Sequence, residues 1–469
     1  MTAVVDFLNS IIWGYVLLYG LLAVGIFFTI RLGFLQFLHF GEMIRAIRGS
    51  RESDVHGISP FQALCTSLAS RVGTGNIAGV AVALYLGGAG AIFWMWMVAL
   101  VGMATGYAES TLAQLYKVRD GEGQYRGGPA VYISKGLKAP WAAGIFAVCL
   151  IISFGLVFNA VQANSIADAM EGAFGIPKLW VGIAIAVFAG VVIFGGLRSI
   201  ARFAELVVPF MAGTYVLVAL GIMVANYDQV PGILALIVKS AFGLNEAAGG
   251  AAGAVTAALL NGIKRGLFSN EAGMGSAPNI AATATPAPHH PSSQGLIQGF
   301  GVFVDTIVIC TATAVMILLS GVLDPHSGIT GTHLTQIALE SHIGSFGSYF
   351  IAIAILFFAF TSIVANYAYA ENALVYLGGR KHSLTALRTA ALLMVVWGSN
   401  EAVVTVFNAA DASMGLMATI NLIAIVLLSG TVVKLTRDYM SQRKQGLVPH
   451  FKSKEYPELH EKIDSNIWH

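Results

Sequence analysis

Leu68-Ala69-Ser70-Arg71-Val72-Gly73-Thr74-Gly75-Asn76 stands in the middle of a long apolar run near residues 58–86. Phe268-Ser269-Asn270-Glu271-Ala272-Gly273-Met274-Gly275-Ser276-Ala277-Pro278-Asn279 stands in another, near 251–284. A helix interior resists both, because glycine costs about 1 kcal/mol against alanine there and proline about 3. Where such a run crosses hydrocarbon, the freed backbone groups need protein or a water-filled cavity to receive them. Gly73 and Gly273 lie 200 positions apart, and paired interruptions at corresponding places point to a transporter's midplane site. At such a break, half-helix N-termini offer free N–H groups and a positive dipole end to an anion. The carbonyl ends face a cation instead. Glycines in membrane helices also serve tight crossings. Two breaks at matching places, one with Asn270, Glu271 and Pro278, favour the site.

Composition supplies the membrane. Of 469 residues, 56% are hydrophobic and 11% charged, with mean hydropathy +0.74, whereas soluble domains carry about 25% charged residues. Such a chain cannot cover a soluble surface. A net charge of +2 gives no footprint for nucleic acid. Cys65, Cys149 and Cys310 each sit in an apolar stretch without CxxC or Cys/His spacing, so they read as structural thiols. Ahead of the first apolar run, Ile11 to Ile30, the only charge is Asp6. Without a basic flank, that run reads as a retained spanning helix rather than a signal peptide.

Eleven runs of spanning length lie near 11–31, 58–86, 89–116, 141–167, 177–197, 203–226, 251–284, 295–322, 346–378, 384–402 and 404–435. The fold class is an all-α integral membrane protein. Segment 33–49, with Arg45 and Arg48, predicts a helix along the inner surface, and 229–244 and 331–343 predict short interfacial helices on the other side. With the N-terminus outside, 21 of 26 lysines and arginines fall in inner loops and the tail, as positive-inside sorting requires. Five spans begin with each broken one, and an odd number inverts the second set. The organisation is then an N-terminal helix and inner segment (1–57), a first repeat (58–250), an inverted second repeat (251–435) and a cytoplasmic tail (436–469).

At Val72-Gly73-Thr74-Gly75-Asn76-Ile77-Ala78-Gly79-Val80 and Ser269 to Asn279 the chain resembles the alanine/glycine:sodium symporter family. The similarity runs over nearly the whole chain, and the second stretch is highly specific. Arg71 departs from the pattern, standing where a small or polar residue is expected. The resemblance implies a leucine-transporter-type fold, a five-plus-five inverted repeat with one extra N-terminal helix. It implies sodium-coupled uptake of alanine or glycine across the cell membrane, with Na+ as the co-transported ion and no other cofactor. Sodium would then sit between the carbonyls of Ala69 and Val72 and the hydroxyls of Thr361 and Ser362. Membrane Ser and Thr also bond back to their own helix, and that reading stands beside the first. Gly73, Thr74 and Gly75 would receive the substrate carboxylate. Phe268, Ser269, Asn270 and Gly273 would cover the substrate and accept from its ammonium. On span four, Asn159 and Gln162 form a polar face at i, i+3 that suits a zwitterion or a neighbouring helix equally. Phe154 and Phe158 nearby read as lipid-facing or core ahead of pocket walls.

Ionisable residues within spans are functional suspects: Arg71, Glu109, Glu205, Lys264, Arg265, Glu271, Asp305, Glu371 and Asp411. Arg71 and Glu271 occupy corresponding points on the broken helices, which suggests an ion pair. Glu109, Glu205 and Glu371 read as near-interface residues. A proton-coupled transporter using Glu271 or Asp305 is the alternative, and a channel ranks below it. No GxxxxGK[ST] motif supports an ATP-driven pump, and a membrane enzyme comes last. His289 and His290, in a Pro-rich loop, punctuate a turn rather than bind metal.

Overall fold

The computed structural model describes residues 9–244 and 251–468, so Asp6 lies outside the described residues. A helix, or a helix in two pieces, falls on each of the predicted apolar runs. Helix α1 spans Asn9–Arg31, α2 Phe40–Arg48, α3 Pro60–Arg71, α4 Gly75–Gly87 and α5 Gly90–Leu115. A short antiparallel hairpin, β1 Val118–Arg119 with β2 Tyr125–Arg126, leads to α6 Pro129–Gly136. Then come α7 Pro140–Phe174, α8 Lys178–Phe194, α9 Gly196–Ala225 and α10 Val230–Ala241. The second half holds α11 Ala251–Asn270, α12 Pro278–Ala281, α13 Pro291–Ser320 and α14 Gly331–Ile343. It ends with α15 Phe346–Tyr376, α16 Lys381–Asn400, α17 Val403–Leu427 and α18 Ser429–Lys444.

Among the described residues, seven helices (α1, α5, α7, α9, α13, α15 and α17) are long and apolar enough to cross a membrane. The interrupted runs fall short of that measure for local reasons. Helices α3 and α4 are each too short, and α11 carries Asn261, Lys264, Arg265 and Asn270. Large apolar side chains face outward, with Leu206 77% and Phe210 76% exposed on α9. Water penalises so much exposed apolar surface, whereas lipid does not. Polarity is turned inward: Arg71, Glu109, Glu271 and Asp305 are all buried.

Connecting segments gather at two ends of the bundle. At one, Arg198 donates to the Val55 carbonyl, Tyr125 to Asp54, and Lys117 to the Ala284 carbonyl. Arg126 and Arg388 both approach Glu371 there, and Arg443 pairs with Glu42 at 2.8 Å. At the other end, Gln336 donates to the Ala169 carbonyl and Asn164 to the Glu401 carbonyl. The tail after α18 folds back onto the first end. Its Phe451 N–H donates to the His289 carbonyl, and the Trp468 indole donates to the Leu115 carbonyl at 3.0 Å. His290 caps α13 by accepting from the Ser292 N–H, with its other ring nitrogen 3.2 Å from Asp438. Lys117 is fully buried, and burial holds its ammonium well below the usual lysine range.

Candidate substrate and cation site

Helix α3 starts on a reciprocal cap between Ser59 and Gln62, with Pro60 in its first turn. It stops at Arg71, where Val72 leaves helical geometry. The chain resumes helix at Gly75 through a wide π-type turn, a form that recurs at functional sites. In the gap, the Gly73 N–H donates to Asn76 Oδ1 and the Thr74 N–H to Gln162 Oε1, both at 3.0 Å. Side-chain amides thus occupy two of the donors assigned to a carboxylate. Glycine at 73 is a steric demand: a Cβ there would lie 2.4 Å from Ser362 Oγ and 2.7 Å from Gln162 Oε1.

The last carbonyls of a helix have no partner within it, and at α3 one of them finds a hydroxyl. Ser362 Oγ donates to the Ala69 carbonyl at 2.8 Å. Thr361 Oγ1 turns to the Phe358 carbonyl of its own helix, also 2.8 Å away. Ser362 Oγ also lies 3.0 Å from the Phe358 carbonyl, so both hydroxyls bond back to their own helix and Ser362 reaches across to α3 as well. Val72 is fully buried at the same helix end.

The second break is longer. Helix α11 ends at Asn270, whose Oδ1 accepts from the Ala272 N–H. Glu271 takes a left-handed conformation (φ 58°), as do Gly273 (φ 89°) and Gly275 (φ 80°). The Gly273 and Gly275 N–H groups each lie 3.2 Å from a carboxylate oxygen of Glu109 on α5. Asn421 on α17 donates both to Glu109 and to the Gly273 carbonyl, and Tyr132 bonds Asn421 in turn. Glu109 therefore lies in the core at the second break, not near an interface. Its partners come from distant parts of the chain, so the apolar run around it gave no sign of them.

Between the breaks, Asn76 Nδ2 reaches Ser269 Oγ at 3.1 Å and Asp305 Oδ1 at 2.8 Å. Ser269 and Thr306 donate to Asp305 Oδ2. Phe268 covers Gly75, where a Cβ would meet its ring at 3.1 Å. Phe268 stacks on Phe158 at 4.9 Å between centroids, and Phe158 on Phe154 at 4.5 Å. Phe158 thus packs against α11, with Phe154 behind it against Tyr369 of α15. Phe268 also meets Phe407, and Arg265 lies over both rings while binding Asp411 through two oxygens at 2.7 and 2.8 Å.

Gly73, Thr74, Gly75, Gln162, Phe268 and Ser269 thus come together, with Ala69 and Ser362 on the adjoining face. Asn159 stands one step outward, accepting from Asn366 Nδ2. Gly273 faces Glu109. Among the described residues Thr74 Oγ1 and Asn270 Nδ2 are buried without a hydrogen-bond partner, which suits them to a small polar ligand. Asn366 and Glu109 were not placed at the site by spacing, because their partners lie on other helices, and Asn76 joins its own break to Ser269 and Asp305. The expected Arg71–Glu271 ion pair is not formed. Arg71 makes no ion pair within 4 Å among the described residues, and Ser70 and Ser276 occupy the Glu271 oxygens. Arg71 points instead toward the Gln298 carbonyl on α13, 3.3 Å away.

The arrangement gathers amides, hydroxyls, carboxyl groups and aromatic rings around the two breaks. Comparison with known proteins places it in a family of transporters. A model of the sodium:alanine symporter family matches residues 1–453. The chain is 51% identical to the amino-acid carrier protein AlsT of Bacillus subtilis, covering 96% of this chain and 95% of that one. It is 49% identical to the probable sodium/glutamine symporter GlnT of the same organism, over 96% and 92%. It is 40% identical to the sodium/alanine symporter AgcS of Methanococcus maripaludis, over 94% and 98%. With a family match across nearly its whole length and curated relatives that are transporters, the chain belongs to the sodium:alanine symporter family.

Proposed function

We propose that this protein is a sodium-coupled secondary symporter that imports a small neutral amino acid, alanine or glycine, by alternating access. The observation that carries the reading is the meeting of the two helix breaks. The Ala69 carbonyl and Ser362 hydroxyl supply oxygens of the kind a hard cation takes. Beside them Gly73, Thr74 and Gly75 lie under Gln162 and Phe268. On this reading eleven spans cross the plasma membrane, one N-terminal and five in each of two inverted repeats (58–250 and 251–435). The basic end of the bundle is cytoplasmic, with the N-terminus outside and the tail 436–469 inside. The gathering of connecting segments at two ends supports that alternation.

The driving force suffices. One charge moving through about 100 mV supplies about 2.3 kcal/mol, which at about 1.4 kcal/mol per decade sustains about fiftyfold accumulation. The test is uptake of labelled alanine into proteoliposomes at fixed pH, with sodium outside or choline in its place. Sodium-dependent accumulation, and exchange stimulated by internal alanine, are expected. Undiminished uptake in choline would instead support proton coupling. That second reading draws on Asp305, a buried carboxylate gathering three donors between the breaks. A relative from Bacillus strain PS3 is named a sodium/proton-dependent alanine carrier.

A further inference from the structure

One hydrogen-bonded chain between the breaks has too few protons unless Glu271 holds one. Asn159 Nδ2 lies 3.1 Å from the Gly155 carbonyl, an oxygen that can only accept. Asn159 Oδ1 therefore faces Asn366 Nδ2 at 3.2 Å, and Asn366 Oδ1 faces the Ser70 hydroxyl at 2.6 Å. The same Ser70 oxygen lies 2.7 Å from Glu271 Oε1. A hydroxyl carries a single proton, and Asn366 Oδ1 takes it. The short Ser70–Glu271 contact then needs a proton of its own, and the carboxyl group is its only source. Oε2 of Glu271 meanwhile accepts from Ser276 Oγ at 2.5 Å. Amide orientations are assigned from such networks. Here, turning both amides over would set Asn159 Oδ1 against the Gly155 carbonyl, oxygen to oxygen.

We propose that Glu271 is a proton-binding site that ties the two broken helices together. The proton on its carboxyl group bonds Ser70, in the last turn of α3, to the first residue beyond α11. The surrounding groups are Arg71 on α3, Asp305 on α13 and Tyr369 on α15. Glu109 on α5 holds the amides of Gly273 and Gly275 just beyond. Arg71 makes no ion pair with Glu271 and is turned toward the Gln298 carbonyl. Glu271 is 1% exposed, so proton exchange with water requires a conformation in which this region opens. Ionisation releases the proton to water and leaves a carboxylate. Ser70 must then choose between Glu271 and Asn366, and Arg71 gains a partner. The connection between the breaks changes with the proton, which makes it a third participant beside sodium and amino acid. That consequence rests on the transporter reading above; the proton count does not.

Infrared spectroscopy of the purified full chain at neutral pH tests the site directly. A protonated-carboxyl carbonyl band, shifted by heavy water, is expected in the unaltered protein and lost in Glu271→Gln. Ser276→Ala removes the donor to Oε2 and keeps the acid, so the same band should move to higher frequency. Identical bands in the unaltered protein and Glu271→Gln would overturn the proposal. Should Glu271→Gln not fold, an unmoved band in Ser276→Ala would overturn it equally. In proteoliposomes the pH dependence of alanine uptake should flatten in Glu271→Gln, whatever its rate. If the band behaves as expected while uptake ignores sodium, the sodium reading fails and the proton site stands.

Discussion

A serine and a threonine side by side on α15 differ in reach: Ser362 donates to the Ala69 carbonyl, while Thr361, and Ser362 at 3.0 Å, lie against the Phe358 carbonyl of their own helix. Only the first bond crosses between helices, so the two side chains should respond differently to removal. Ser362→Ala deletes an oxygen facing the end of α3. The half-saturating sodium concentration for alanine uptake should rise about tenfold, equivalent to about 1.4 kcal/mol. Thr361→Ala leaves that face intact and should raise it less. A sodium titration of uptake decides, and the opposite order would move the cation away from Ala69. Gly73→Ala acts by bulk, since its Cβ would overlap both Ser362 Oγ and Gln162 Oε1. Overpacking costs about 1–3 kcal/mol. Here it falls on the groups that shape the site, so alanine uptake should drop at least about tenfold at normal protein levels. Unchanged uptake would show that Gly73 serves helix crossing alone.

At the scale of the element, the two breaks are alike in sequence and unlike in how their backbone is satisfied. The first is closed by amide side chains, Asn76 and Gln162. The second is closed by the two carboxyl oxygens of Glu109, which accept from the free N–H groups of Gly273 and Gly275. A buried amide left without an acceptor costs about 1–3 kcal/mol. Glu109→Leu strands two, and should lower the unfolding temperature in detergent well below that of the unaltered chain. Glu109→Gln keeps one acceptor oxygen and should fall between the two. Equal stabilities would mean that water can replace the carboxylate there. The breaks themselves were legible in the sequence because glycine and proline act on their own backbone. Helix positions were legible for a similar reason, since apolar runs are local. Glu109 was not, because a lone acid in an apolar run does not announce partners at 273, 275 and 421. The Arg71–Glu271 pairing failed for the same reason: matched positions say nothing of side-chain direction, and Ser70 stands closer to Glu271.

For the molecule as a whole, charge sorting located the basic end, but composition alone hid what the tail does there. Its charges predict a solvated extension, yet Phe451, Leu459, Ile463, Ile467 and Trp468 are buried. Phe451 and Trp468 lie against His290 and His289, in the loop that joins α12 to α13, with Lys117 beside the Trp468 ring. Replacing a buried tryptophan by alanine costs about 3–5 kcal/mol. Trp468→Ala should therefore free the tail, seen as faster cleavage after α18 in limited proteolysis. The His290–Asp438 contact makes that docking depend on pH. Burial pushes the His290 ring below its ordinary value, against the pull of Asp438. A base whose folded value is depressed binds its proton more readily when unfolded. Its contribution is therefore whole above about pH 6.5, the unfolded value, and declines as pH falls beneath it. Protection of the tail should accordingly weaken between about pH 6.5 and pH 5. In His290→Gln, which keeps a polar cap but cannot titrate, that dependence should vanish. An equal slope in both chains would place the pH response on another group.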